Sequence, residues 1–114
     1  MMPIIIENLQ VWPEDLGKMN WATAMKRVKE LGPGWRLPTI EELKETLYPN
    51  MEKLPNLNRT GAYWSSTEYD STNACFFIFL NGFAYLNNKN YTIYVRAVKT
   101  FDGESALGIL LKDF

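Results

Sequence analysis

The sequence predicts an α+β domain, with two helices first and antiparallel strands after them. Three observations carry this. An apolar stripe of helical period runs through Trp21, Ala24, Met25, Val28 and Leu31. A capping-box pattern, Thr39-Ile40-Glu41-Glu42, opens a second amphipathic stretch. Asn81-Gly82, the dipeptide best suited to a two-residue hairpin turn, lies between two β-rich runs. Helical patterns followed by strand patterns are the ordering of α+β folds.

The elements follow in order. Ile4 to Trp12 reads as a strand, and Pro13-Glu14-Asp15-Leu16-Gly17 as a turn. Asn20 is placed to cap the first helix, because its side-chain oxygen can accept from the free amides of the first turn. Lys26, Arg27, Lys29 and Glu30 take the face opposite the apolar stripe. Gly32 then suits a left-handed helix end, and Pro33 blocks resumption. The second helix starts at Thr39, buries Ile40, Leu43 and Leu47, and is expected to stop at Tyr48-Pro49. Asn50 to Thr60 reads as a loop. Strands are expected over Ala62 to Thr67, Ala74 to Leu80, Phe83 to Asn87 and Tyr91 to Thr100.

Composition narrows the function. A chain of 114 residues is one domain by length. A net charge of −1 with no Lys/Arg run lacks the basic footprint that a nucleic-acid partner needs. No apolar run approaches the ~20 residues of a membrane span. Cys75 is the only cysteine, so no disulfide forms within the chain. The first residues, Met1 to Glu7, lack the basic start and the length of a signal peptide. That favours a cytoplasmic or phage-particle location over the cell surface, with a removed leader or another export route left open.

Most motifs read as architecture. Pro38 biases Leu37 toward extended backbone and sets up the Thr39 cap, and Arg36 is placed to bond carbonyls or a carboxylate. Trp64-Ser65-Ser66-Thr67 invites a nucleophile reading, but the chain has no histidine and nothing places a lysine beside either serine. With one cysteine and no histidine, zinc is poorly served. Asp70-Ser71-Thr72-Asn73 is the best oxygen-rich run for calcium, yet it reads first as a turn. No cofactor is expected.

Taken together, the motifs carry a resemblance. Met19-Asn20-Trp21, Gly34-Trp35-Arg36-Leu37-Pro38-Thr39, Tyr63-Trp64-Ser65-Ser66-Thr67-Glu68-Tyr69, Asn88-Lys89 and Val95-Arg96 stand in an order that resembles the DUF1566 family. That module is also found at the C-terminus of Legionella collagen-like adhesins. The resemblance spans roughly Leu9 to Lys99 and implies a C-type lectin-like fold over residues 1–100, with 101–114 as an extension. It implies a non-catalytic recognition module with a protein or glycan ligand. The calcium-lectin signatures Glu-Pro-Asn and Trp-Asn-Asp do not occur, so calcium-mediated sugar binding is not implied. Arg36-Leu37-Pro38-Thr39 is also similar to the formylglycine-generating enzymes, but their chemistry uses a cysteine pair and this chain has Cys75 alone.

One departure from the family pattern stands out. Phe77, Ile78, Leu80 and Phe83 occupy hairpin positions that are commonly polar in that family. A strand alternates its faces, so the continuous apolar run from Cys75 implies that both faces are covered. The cover is either another molecule, including a second copy, or the extension 101–114. The residues expected at a ligand or partner contact are Tyr69, Phe77, Leu80, Phe83, Tyr85 and Tyr91. Large, rigid, amphipathic side chains make good contacts. An alternative role is an assembly subunit that oligomerises or binds a partner through the apolar hairpin 74–86.

Overall fold

The computed structural model describes residues 3–101, and the extension beyond Phe101 lies outside them. The fold is α+β, with two sheets. β1 (Ile4–Ile6), β2 (Leu9–Val11) and β8 (Val98–Thr100) form a small antiparallel sheet in the order β1-β2-β8. β3 (Lys18–Met19), β4 (Ala62–Glu68), β5 (Asn73–Ile78), β6 (Phe83–Asn88) and β7 (Ile93–Tyr94) form a five-stranded sheet in the order β3-β7-β4-β5-β6. The expected antiparallel sheet is thus corrected to two sheets, the larger of them mixed, because β7 runs parallel to β4 with Tyr63 opposite Tyr94.

Both helix starts form as their sequences predict. Asn20 accepts the Thr23 amide at 2.9 Å at the head of α1 (Trp21–Lys29). Thr39 Oγ1 accepts the Glu42 amide at 3.1 Å, and Glu42 Oε1 accepts the Thr39 amide at 2.9 Å. Arg36 adds a two-pronged pair to the Glu42 carboxylate at 2.7 and 2.8 Å. The second helical segment, α2 (Ile40–Glu42), continues as a π-helical turn over Leu43–Leu47 and a 3-10 helix over Tyr48–Lys53.

Four further expectations are corrected. Ile4 to Trp12 is a hairpin, not one strand. It reverses at Glu7, which takes φ 54°, so that Ile6, Leu9 and Val11 all enter the core. Pro49 does not end the second helical segment, and the loop expected from Asn50 is helical to Lys53, because at the first turn of the 3-10 helix the missing amide proton of Pro49 is not needed. The β5–β6 turn has four residues, not two. Ile78 faces Phe83, the Gly82 amide donates to Ile78 O at 2.9 Å, and Asn81 Oδ1 accepts the Phe83 amide at 3.0 Å. Gly82 takes φ 74° beside the Tyr48 ring, where a Cβ would meet a ring carbon at 2.6 Å. Finally, Tyr91 to Thr100 breaks into β7 and β8, because Val95 to Ala97 bonds instead to the 12–17 loop. Leu16 donates to Val95 O at 2.8 Å, Val95 to Gly17 O at 3.1 Å and Trp12 to Ala97 O at 2.9 Å.

The five-stranded sheet has a core on each face. On one side Ala24 and Val28 of α1 pack with Trp35, Leu37, Trp64, Ala74, Val95 and Ala97. On the other, Leu43, Leu47 and Leu54 pack with Tyr63, Phe77, Phe79 and the small sheet's Ile6, Leu9, Val11 and Val98. Arg96 is buried between loops. Its Nε donates to Asp15 Oδ1 at 2.8 Å, and its other nitrogens donate to Trp12 O at 3.2 Å and Pro55 O at 2.9 Å. The second Asp15 oxygen accepts the Tyr63 hydroxyl at 2.6 Å, which in turn accepts the Asn58 amide at 2.8 Å. Burial, then the bond to Asp15, pushes the Tyr63 hydroxyl far above its ordinary range.

Removing one partner of a buried ion pair typically costs ~3–5 kcal/mol. Arg96→Ala should lower stability in urea by about that much, and a loss under ~1 kcal/mol would show that the pair holds little. Acid should act through Glu42. Burial pushes its carboxyl up, but the bonds from Arg36 and Thr39 outweigh this and leave it below its ordinary value of 4.5. A group lowered on folding stabilises above its unfolded value, and that contribution is lost as pH falls through the folded one. Stability should therefore fall on acidification below 4.5, and less steeply in Glu42→Gln. Identical pH profiles for the two chains would refute it.

Candidate functional site

The residues expected at a contact do not form one surface. They divide among the core, the hairpin and the loop end of the sheet.

Phe77 is the correction. It is completely buried, under the Tyr48 ring at 5.6 Å and the Phe79 ring at 5.2 Å. The apolar run of β5 does have both faces covered, as the alternation requires, but this chain's own helical segments do the covering. Phe77 and Phe79 face the second helical segment, while Ala74 and Phe76 face the α1 side.

β6 is different, because it is the edge strand. Its register with β5 is continuous from Asn73↔Asn88 to Ile78↔Phe83 and contains no bulge. Phe83 and Tyr85 therefore lie on the face of Phe76 and Ile78, and Ala84 and Leu86 on the face of Cys75 and Phe77. Phe83 is 62% exposed, Tyr85 41% and Leu86 48%, and Leu80 at the tip is 69% exposed. Leu86 was not singled out from the sequence; its signal is the alternation that carries Phe83 and Tyr85 to the opposite face.

The aromatic face is built from inside outward. Trp64 is fully buried and fixed by its indole N–H to Met19 O at 2.9 Å. Phe76 meets it edge-on at 6.5 Å, and Tyr85 stacks on Phe76 at 5.6 Å. The Tyr85 hydroxyl accepts from the Asn81 amide at 2.9 Å. The Tyr85 ring thus stands on a packed column that limits its rotamers. Among the described residues there is no pocket. Anything bound here meets an open aromatic surface flanked by amides.

Tyr69 and Tyr91 lie at the other end of the hairpin, a strand length of ~17–20 Å from the tip. Both are exposed, on loops joined by the Lys89 amide to Thr72 O at 2.8 Å. Asp70 closes the first loop, as its turn composition predicts. Its Oδ1 accepts the Thr72 and Asn73 amides at 2.9 and 2.7 Å, which lowers its pKa. Lys89 pairs with Glu68 and sits 4.6 Å over the Trp21 ring, while Trp21 donates to Ser65 O at 2.9 Å.

The remaining reactive groups are occupied. Ser65 is buried, donating to Cys75 O at 2.6 Å and accepting the Thr67 amide at 3.1 Å. Burial, then the nearby Glu41 charge, pushes the Cys75 thiol up. Among the described residues no group of three or more acidic or cysteine side chains is placed to hold a metal, and no helix is long and apolar enough to cross a membrane.

Residues 7–99 match the family described as the Lcl C-terminal domain, and the chain belongs to that family. No curated protein matches it.

The division into buried and exposed rings is measurable. Truncating a packed phenylalanine to alanine costs ~3–5 kcal/mol. A surface change away from special features stays within about ±0.5 kcal/mol. Phe77→Ala should fall in the first range and Phe83→Ala in the second, by chemical denaturation. Equal losses would mean that Phe83 is packed as Phe77 is.

Proposed function

We propose that this chain is a non-catalytic, calcium-independent recognition module of C-type lectin-like fold, which binds a protein or glycan through the aromatic face of its β5–β6 hairpin. The supporting observation is that Phe83 and Tyr85 stand exposed on one face of an uncharged edge strand, with Tyr85 braced by Phe76 and, behind it, Trp64. A rigid aromatic pair offers contact area at low entropic cost. Asn81, whose side chain already bonds Tyr85, and Asn87, on the same face, supply amides beside the rings. Membership of the Lcl C-terminal family supports an adhesin-like, surface-associated role. The non-catalytic reading rests on the absence of histidine from the sequence and on Ser65 spending its proton on a carbonyl.

A second reading, an assembly subunit, draws on the same strand. β6 has no charged residue, no proline and no bulge, and such an edge is a template for pairing with another chain.

One set of measurements separates them. The labelled chain is screened against immobilised neutral, sialylated and sulfated glycans and cell-surface proteins, with and without chelator. Recognition predicts binding that chelator leaves unchanged and that Phe83→Lys weakens by about tenfold or more, ~1.4 kcal/mol, at an unaltered melting midpoint. Full retention of binding in both Phe83→Lys and Tyr85→Ala would sink the assignment to this face. Assembly predicts instead a solution mass above one chain that returns to one chain in Tyr85→Lys.

A further inference from the structure

The fold demands glycine at position 82, and that glycine opens its neighbour to chemistry. Gly82 takes φ 74°, and a Cβ there would run into the Tyr48 ring. The missing side chain also leaves the Gly82 nitrogen unhindered beside the Asn81 carboxamide. Each of the other asparagines is followed by a residue whose side chain crowds that approach. Asn81 is moreover exposed, at the tip of the hairpin.

We infer that Asn81 is a site of spontaneous deamidation, held shut in the folded chain by the hydrogen bonds of the hairpin tip. The reaction needs only water. The Gly82 nitrogen loses its proton and attacks Asn81 Cγ. The N–Cγ bond forms, the Cγ–Nδ2 bond breaks, and Nδ2 leaves as ammonia with the proton given up by Gly82. Water then opens the five-membered imide at one of its two carbonyls. The product is aspartate or its iso form, and nothing is oxidised or reduced.

Three contacts oppose the first step. The Gly82 amide donates to Ile78 O at 2.9 Å, so the proton that must leave is engaged. Asn81 Oδ1 accepts the Phe83 amide at 3.0 Å, and Asn81 Nδ2 donates to the Tyr85 hydroxyl at 2.9 Å. Ring closure requires all three bonds to be given up. Cyclisation therefore waits on local opening of the tip, which takes less free energy than opening the core.

The two products act differently on the hairpin. Aspartate keeps an oxygen for the Phe83 amide, and the Tyr85 hydroxyl, able to donate as well as accept, turns its proton to the carboxylate. The iso form carries the main chain through the side-chain carbon. That lengthens the turn and disturbs its closure at Ile78↔Phe83. Either product places a negative charge at the tip of a strand that has none. The inference concerns the free chain and holds whatever the aromatic face binds.

The experiment follows conversion at each asparagine by peptide mapping, with chromatography to separate the two products. The full chain is incubated at neutral pH, folded and in urea, as wild type and as Tyr85→Phe. Exchange of the Gly82 amide is measured in parallel. In urea Asn81 should convert before every other asparagine. In the folded wild type its conversion should be slower by about tenfold or more, since it proceeds only from the opened tip. Folded Tyr85→Phe, which loses the bond to Nδ2, should convert several-fold faster than wild type and exchange the Gly82 amide faster by a similar factor. Equal wild-type rates in the folded chain and in urea would overturn the inference, as would another asparagine converting first in urea. A Tyr85→Phe chain that converts no faster would also overturn it, whether or not its Gly82 amide exchanges faster. None of these readouts involves a ligand, so the inference can fail while the recognition reading stands.

Discussion

The buried Arg96–Asp15 pair is the constraint on which the rest of the fold depends. A guanidinium 2% exposed must have its charge and its donors met inside the protein. Asp15 supplies the charge, and Trp12 O and Pro55 O accept two further N–H groups. These partners come from two separate stretches, which hold little regular structure of their own. Tyr63 extends the network into the central strand β4 and on to Asn58. The loops 12–17 and 54–60 are therefore pinned to the middle of the sheet by polar contacts that are fully satisfied among the described residues.

With the loops fixed, the sheet can be covered on both faces by a small chain. α1 closes one face over Trp64 and Ala74, and the second helical segment closes the other over Phe77 and Phe79. The cover stops short of β6. That is a geometric consequence of sheet order: β4 and β7 sit centrally, and β6 is left at the edge. Four of the exposed large apolar side chains gather on that strand and its turn, with Phe83 and Tyr85 on one face, Leu86 on the other and Leu80 at the tip.

The sequence by itself determined the local devices, because their causes are local. The Asn20 cap, the Thr39–Glu42 box and the stripe of α1 need only neighbours within one helical turn. The expected double cover of the apolar run from Cys75 is met on β5 and not on β6, because alternation fixes where side chains point and not what meets them. What covers β5 was decided by the tertiary structure, because two helices distant in sequence arrive on opposite faces. That is why Phe77, legible as an unusual residue, proved to be core while Phe83 stayed outside. The separation of Tyr69 and Tyr91 from Leu80, Phe83 and Tyr85 follows from hairpin length and register, which the sequence left open. So does the four-residue turn, where packing of Tyr48 against Gly82 overrode the two-residue preference of Asn-Gly. Arg96 was legible in the sequence only as part of the Val95-Arg96 motif. Its partner, 81 residues away, could be chosen only once the chain had folded.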